Sequence, residues 1–228
     1  MWLVLSVFGA AVVAGLQIIP RIASREAAIQ NSAFVVLTVA SVPVLMLVVV
    51  ALVYSALRFR AVGEVADGPP IHGHLGVQSV WLGASLALVL ALFAYGSIGL
   101  VDIRGAQTAD FEVNVTSEQW KWHFEYPATG ARSNELHIPV DRRVHLRITS
   151  IDVIHSLWVP AFGIKQDAVP GRTTDVYMTA TQTGTYPGMC AELCGLGHTT
   201  MTTTAVVSEQ ADLDMWLTQA HEPEPEPS

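Results

Sequence analysis

The segment that ends at Met201 concentrates soft metal ligands. Cys190, Cys194, His198 and Met201 place two thiols, an imidazole and a thioether within twelve residues. Zinc sites usually complete four cysteine or histidine ligands and do not use methionine, whereas thiolate, imidazole and thioether together are typical of copper in electron-transfer sites. The segment therefore predicts a copper site.

The second cysteine decides what kind of copper site to expect. A mononuclear blue-copper site needs one cysteine, two histidines and a weak axial methionine. Two thiolates four residues apart on one loop, Cys190 and Cys194, can instead both bridge a pair of copper ions. This favours a dinuclear centre. The spacing of the two cysteines alone would equally fit a buried thiol pair or a small local disulfide.

A dinuclear centre needs another histidine, and His155 in Asp152-Val-Ile-His155 is the candidate, at a point where a strand would end. We expect the remaining histidines to be solvated or structural, because they lie in a loop, in alternating strands or in the tail. They are His72, His74, His123, His137, His145 and His221.

Two long uncharged runs, from Ala33 to Leu57 and from Leu75 to Val101, precede the copper motif. Each exceeds the roughly 20 helical residues that cross a hydrocarbon core, so both are predicted to be transmembrane helices. The segment that joins them contains Arg58 and Arg60, and positive charge in a short loop favours the cytoplasmic side. We therefore expect a hairpin with its loop inside and the rest of the chain outside.

The first 19 residues form a third uncharged run without the basic start of a signal peptide. Either a first helix or a cleaved signal fits, and we favour a retained helix. The chain is accordingly divided into an apolar segment and connector (1–32), a transmembrane hairpin (33–101), an outer domain (102–220) and a disordered acidic, proline-rich tail (221–228).

The outer domain is predicted to be mostly β, a sandwich or barrel. Apolar residues alternate with polar ones in at least five segments, and turns are expected at Pro170-Gly171 and Pro187-Gly188. Ser208 resembles the cap of a final helix. The segments contain Phe111 to Val115, Trp120 to Tyr126, Val144 to Ile148, Val176 to Met178 and Thr202 to Val207.

Charge is distributed unevenly between the two parts. Beyond residue 101 the chain carries eight basic and seventeen acidic side chains, a net charge of −9, whereas the first 101 residues have a net charge of +1. A domain this acidic repels nucleic acid and attracts a basic partner.

Three motifs together resemble subunit II of cytochrome c oxidase, and the resemblance runs from about Ala33 to Ala220. They are Asp152-Val-Ile-His-Ser, Gly163-Ile-Lys-Gln-Asp-Ala-Val-Pro-Gly-Arg172 and Cys190-Ala-Glu-Leu-Cys-Gly-Leu-Gly-His-Thr-Thr-Met201. The resemblance implies a membrane-anchored protein whose outer domain is a cupredoxin-like β-barrel or sandwich. That domain would carry the dinuclear copper centre called CuA.

The resemblance also implies roles for single residues. Cys190 and Cys194 would bridge the coppers and Met201 would be axial. His155 and His198 would bind one copper each. Glu192 would ligate copper through its backbone carbonyl, while its side chain would reach a magnesium ion at the boundary with subunit I.

Three further residues take supporting roles by the same resemblance. Asp167 and Arg172 would lie near the boundary with subunit I, behind the residues that touch metal. Trp120 would be the exposed point at which electrons arrive from cytochrome c.

The sequence also departs from the family pattern. Gln78 stands where a glutamate commonly marks a proton-uptake entrance, and glutamine cannot exchange a proton near neutral pH. Glu118 replaces a common histidine, and Ile151 replaces an acidic residue that often assists docking of the donor.

The leading hypothesis is a subunit of a haem-copper oxidase of the cell membrane. It would accept electrons from a c-type cytochrome or similar donor and pass them to haem in subunit I for oxygen reduction. Gln78 keeps a nitric oxide reductase with a CuA subunit as an alternative. A membrane-tethered copper carrier is a third, non-enzymatic hypothesis.

Overall fold

The computed structural model describes residues 2–15, 21–60, 63, 73–105 and 108–220. Two compact units are present. The first contains residues 2–15 and the described residues from 32 to 101, and the second contains residues 21–31 and those from 102 to 220.

The first unit is built from three helices, α1 (Trp2–Gly15), α2 (Arg25–Arg58) and α3 (Leu75–Arg104). Both α2 and α3 are long and apolar enough to cross a membrane, which confirms the two predicted spans. α2 begins eight residues before its uncharged run and ends one residue after it, whereas α3 begins with its run and ends three residues after it. A helix can continue into flanking polar residues where its backbone remains hydrogen-bonded.

Helix α1 is shorter. Its 14 residues extend about 21 Å at 1.5 Å per residue, less than a hydrocarbon core of about 30 Å. The indole of Trp2 donates a hydrogen bond to the carbonyl of Pro43 in α2, at 2.8 Å. Gly9 faces the same part of α2, where an added Cβ would lie 2.9 Å from Val42. Retention of this segment as a helix stays a prediction.

The second unit is a sandwich of two five-stranded sheets, as expected from the period-two pattern. One sheet has the strand order β3-β2-β1-β5-β8 and the other β4-β10-β9-β6-β7. The elements are β1 (Phe111–Glu118), β2 (Lys121–Tyr126), β3 (Ala131–Ser133), β4 (Leu136–Pro139), β5 (Arg143–Ser150), β6 (His155–Val159), β7 (Ile164–Ala168), β8 (Thr174–Thr179), β9 (Gly184–Cys190), β10 (Thr202–Ser208) and α4 (Gln210–Gln219).

The core lies between the sheets. Alternate residues of β1 and β5 point inward, and the parallel register opposite Val113 and Val115 places Leu146 and Ile148 beside them. Trp122, like these four, is almost completely buried. The alternating residues that predicted the strands are thus the residues that fill the sandwich.

The connector before α2 is part of the β unit. The backbone N–H of Ala23 donates to the carbonyl of Ala161 at 2.8 Å, and the Ala23 carbonyl accepts from Thr181 at 2.9 Å. The hydroxyl of Ser24 donates to the Phe162 carbonyl at 2.7 Å. The connector therefore adds backbone hydrogen bonds to the sandwich.

Two details of the sequence prediction are wrong. Pro187-Gly188 lies inside β9 instead of forming a turn, because both residues pair with β10. On the other side of β9, β6 pairs only with the last two residues of β9, Met189 and Cys190. A proline is tolerated where a strand lacks a neighbour on one side. Ser208 does not cap α4 but ends β10, and Glu209 occupies the cap position without a side-chain hydrogen bond.

Candidate metal centre

The candidate ligands come from two neighbouring strands and one loop. β6 begins with His155, β9 ends with Cys190, and the loop that follows β9 returns to β10 after Met201. The Cys190 N–H donates to the Met201 carbonyl at 2.9 Å and so closes the base of this loop. Residues 191–201, the copper loop, are thereby held against β6.

The soft side chains converge. The two thiol sulfurs lie 3.8 Å apart, far beyond the length of a disulfide bond, and both cysteines are free. His155 Nδ1 lies 3.9 Å from the Cys190 sulfur, whereas His198 Nδ1 lies 3.6 Å from the Cys194 sulfur. Each imidazole thus faces a different thiol, which suits two metal ions that share the sulfurs.

The remaining ligand candidates lie close to this pair. Met201 Sδ lies 3.2 Å from His155 Nδ1 and 3.8 Å from the Cys194 sulfur. The backbone carbonyl of Glu192 lies 3.2 Å from the Cys190 sulfur. His155, Cys190 and Cys194 are buried, and their ligand atoms lie within 4.8 Å of one another.

The chemistry of this donor set fits a dinuclear copper ion pair. Burial, together with the neighbouring Cys190 thiol, raises the pKa of the Cys194 thiol to about 11. Such a thiol is neutral at pH 7 and loses its proton when a cation binds. Two thiols, two imidazoles and a thioether in a dry cluster are the soft ligands that copper prefers.

Asp152 orients His155 through its second ring nitrogen. The carboxylate Oδ1 lies 2.9 Å from His155 Nε2, which leaves Nδ1 directed at the sulfurs. Desolvation alone would raise the pKa of the Asp152 carboxyl, but hydrogen bonds from His155, the backbone N–H groups of Val153 and Gln119 and the Ser150 hydroxyl lower it to about 2. A carboxylate behind a ligating histidine fixes the ring and raises its basicity.

The side chain of Trp120 packs against the copper loop. Its indole N–H donates to the Cys194 carbonyl at 3.3 Å, and the residue is 39% exposed. The Gln119 side chain donates to the same carbonyl at 2.7 Å. Trp122, two residues along, meets His155 edge-on with ring centroids 6.2 Å apart. One edge of Trp120 therefore reaches solvent while its N–H reaches a ligand residue.

The structure does not bring Asp167 and Arg172 into this cluster. Both are exposed, and neither side chain forms an ion pair with any other described residue. Asp167 pairs in the sheet with Ser156, next to His155. The side chain of Glu192 is also exposed, although its carbonyl faces the sulfurs.

Sequence reasoning missed Gln119, the part played by Asp152, and Gly195 and Gly197. An aspartate three residues before a candidate histidine is a usable signal, because loop carboxylates commonly orient metal-binding imidazoles. A glutamine and two glycines carry no such signal. Their contacts depend on the approach of the turn between β1 and β2 to a loop about 75 residues later in the chain.

Comparison with known proteins places the chain in a family. Residues 128–209 match the family described as cytochrome c oxidase subunit II, periplasmic domain. Cytochrome c oxidase subunit 2 of Thermostichus vulcanus is 30% identical over 89% of this chain and 78% of its own length. The Cereibacter sphaeroides protein of that name is 30% identical over 82% of this chain and 74% of its own length.

Among solved structures, the periplasmic domain of subunit II of cytochrome oxidase from Bradyrhizobium japonicum is 32% identical. It covers 50% of this chain and 95% of that domain, with a TM-score of 0.48. The family profile, the relatives that align with most of this chain and the two apolar helices all support one assignment. The chain belongs to the cytochrome c oxidase subunit II family, as an oxidase subunit anchored in the membrane with its β domain on the outer side.

Proposed function

We propose that this subunit accepts electrons one at a time from a c-type cytochrome or similar small donor at a CuA centre. It then passes them to haem in subunit I, where oxygen is reduced. The convergence of two free thiols, two imidazoles and a thioether on one buried point carries this proposal. It rests equally on membership of the family.

The arrangement of the side chains supports the ligand roles that we propose. Cys190 and Cys194 would hold both ions through their sulfurs. His155 and Met201, whose ligand atoms are 3.2 Å apart, would complete one ion. His198 and the carbonyl of Glu192 would complete the other. A dinuclear copper centre with shared thiolates supplies a one-electron carrier whose charge is spread over two ions.

The chain itself keeps this carrier rigid and dry. The hydrogen bond between the Cys190 N–H and the Met201 carbonyl closes the loop, and Asp152 holds the His155 ring. Ligands that are already fixed and shielded from water need little rearrangement when charge arrives. Trp120 packs against the copper loop and is partly exposed to solvent, so it is the surface residue suited to contact the donor.

The spectrum of the copper-loaded full chain in detergent tests the metal assignment. We expect a purple chromophore and a seven-line hyperfine pattern in electron paramagnetic resonance, since one unpaired electron would be shared by two copper nuclei. A colourless zinc protein would contradict the proposal. Cys194→Ser should abolish the seven-line pattern, because a single remaining thiolate can no longer form the same double bridge.

Glu192 is proposed to take a second role. Its exposed carboxylate would bind magnesium at the boundary with subunit I, since hard cations prefer oxygen ligands. Manganese substitution of the assembled oxidase offers a test. We expect Glu192→Gln to weaken the Mn²⁺ resonance signal while the copper signal persists. An unchanged manganese signal would count against this role.

The acceptor, donor and location can be tested in the native membrane. We expect the purified complex to contain subunit I and other oxidase subunits and to fractionate with the cell membrane. It should reduce oxygen with a c-type cytochrome as reductant. Turnover with nitric oxide but not oxygen would instead favour a reductase. Gln78, near the start of α3, is the residue that favours the reductase as the alternative, because glutamine cannot exchange a proton near neutral pH.

A further inference from the structure

The contact between Trp120 and the copper loop is unusually close. The loop backbone at Gly197 lies directly against the indole: an added Cβ would be 2.4 Å from Cδ2 and 2.6 Å from Cγ. At Gly195, where φ is +116°, an added Cβ would be 3.4 Å from Cζ2 of the same ring. The loop can approach the indole to this extent only where no side chain intervenes.

Gln119 fixes the same contact from the other side. Its side-chain amide donates to the Cys194 carbonyl at 2.7 Å, a shorter hydrogen bond than the 3.3 Å bond from the indole. Its backbone N–H donates to Asp152 Oδ2 at 2.7 Å, and the other oxygen of Asp152 bonds His155 at 2.9 Å. The residue before Trp120 is therefore tied to two candidate ligand residues.

We propose that Gln119 and Gly197 are positioning residues that hold the Trp120 indole against the copper loop, and that they set the rate of electron arrival without taking part in copper coordination. The proposal deepens the proposed function and rests on it. Gln119 supplies the hydrogen bonds that tie this segment to the loop. Gly197 supplies the flat surface on which the ring lies.

The physical consequence concerns distance. Electron tunnelling weakens steeply as the gap between donor and acceptor groups widens. The hydrogen bond from the indole N–H to the Cys194 carbonyl, at 3.3 Å, joins the exposed ring directly to a candidate ligand residue. The rate therefore falls several-fold when the indole moves away from the loop by the width of a bond. Loss of either positioning residue should therefore slow electron arrival and leave the copper centre intact.

The test compares three variants of the assembled oxidase, Trp120→Phe, Gln119→Met and Gly197→Ala. Methionine matches glutamine in length but cannot donate a hydrogen bond. Gln182→Met is the matched control, because Gln182 is exposed and its side chain makes no hydrogen bond to another described residue. The probe is a ruthenium-labelled c-type cytochrome, photoreduced in the preformed complex.

We expect Gln119→Met and Gly197→Ala each to slow the first-order electron transfer within the complex several-fold. The seven-line copper spectrum should stay unchanged in Gln119→Met and in the control. Unchanged transfer in Gln119→Met would overturn the proposal. So would an altered copper spectrum in that variant, since it would mean that Gln119 acts on the centre itself. Gly197→Ala is the less stringent arm, because it adjoins His198.

A second readout requires no electron transfer. The full chain, labelled with 5-fluorotryptophan, has six tryptophans, and the Trp120 fluorine resonance is identified by its loss in Trp120→Phe. We expect this resonance to shift in Gln119→Met and Gly197→Ala but not in Gln182→Met. An unmoved resonance in both variants would contradict the proposed contact.

The two proposals fail separately. If Trp120→Phe itself leaves electron transfer unchanged, the role of Trp120 in the proposed function is wrong. If Trp120→Phe slows transfer but Gln119→Met does not, the role of Trp120 stands and the positioning proposal is wrong.

Discussion

At the scale of single residues, Asp152 shows how a side chain that does not touch the metal can control a ligand. We expect Asp152→Asn to lower copper affinity by about 10- to 100-fold, the usual effect of altering a residue that orients a metal-binding histidine. Asparagine retains a hydrogen-bond acceptor but loses the negative charge behind the His155 ring. Competition with a copper chelator, using the full chain, measures the affinity.

The chain offers a matched control. Asp175 also hydrogen-bonds an imidazole, that of His145, at 2.7 Å, but this pair lies on β8 and β5, away from the thiols. Asp175→Asn should leave copper affinity unchanged. An equal loss in both variants would show that the effect is general destabilisation and not control of His155.

The residues that bear unusual chemistry could be predicted from the sequence, and their supports could not. Cysteine, histidine and methionine within twelve residues have few common roles together, so Cys190, Cys194, His198 and Met201 were identifiable by type. Gln119 and Gly197 are common residue types. Their importance comes from the contact between the turn that joins β1 to β2 and the copper loop. The spacing of residues within one segment does not predict which distant segments will contact each other.

At the scale of elements, β1 and β5 could be predicted because apolar and polar residues alternate along their sequences. β1 and β5 alternate buried and partly exposed residues, which is the signal that period-two analysis detects. β6 is buried at four of its five positions, and β9 contains Pro187 and Gly188. In neither sequence do apolar residues alternate with polar ones, so the two strands that carry His155 and Cys190 could not be predicted.

The docking of α4 should depend on pH. His137 stacks on Trp216 of this helix with ring centroids 3.7 Å apart. Burial lowers the pKa of His137 below its usual 6.5, although Glu135 opposes the shift. Below pH 6.5 the unfolded chain therefore binds a proton that the folded chain binds only at lower pH. The corresponding stability is present above pH 6.5 and is lost as the pH falls through this window.

The variant His137→Phe isolates this contribution, because phenylalanine keeps an aromatic ring against Trp216 but does not titrate. We expect the thermal midpoint of the full chain to fall less between pH 7 and pH 5 in the variant than in the unmodified protein. Equal pH dependence in the two proteins would assign the effect to other histidines.

At the scale of the whole molecule, the two membrane helices followed from hydropathy, the outer side of the next domain from Arg58 and Arg60, and its β character from period-two alternation. The place of residues 21–31 followed from none of these. Ser24 and Glu26 are polar residues of the kind found at the end of any transmembrane helix. The local sequence gives no sign of their partners, Phe162 and Arg143, which lie more than 100 residues later. The first turn of α2 is consequently a structural part of the β unit, which short-range patterns cannot reveal.

This connection yields a prediction about stability. Glu26 is 3% exposed, forms an ion pair with the largely buried Arg143 and accepts a 2.9 Å hydrogen bond from the Thr179 N–H. Glu26→Gln keeps the size and one acceptor but removes the negative charge that Arg143 faces at this position, so we expect a loss of about 3 kcal/mol in the free energy of unfolding. The exposed pair of Glu125 and Arg132, at 3.4 Å, provides the comparison.

Glu125→Gln should cost less than about 1 kcal/mol, because solvent screens an exposed pair. Denaturant unfolding of the two variants in one detergent, followed by the fluorescence of the tryptophans in the sandwich, measures both free energies. Similar costs in the two variants would mean that the connector contributes no more than a surface contact. A larger cost for Glu26→Gln would show that the start of α2 unfolds together with the domain that holds the copper ligands.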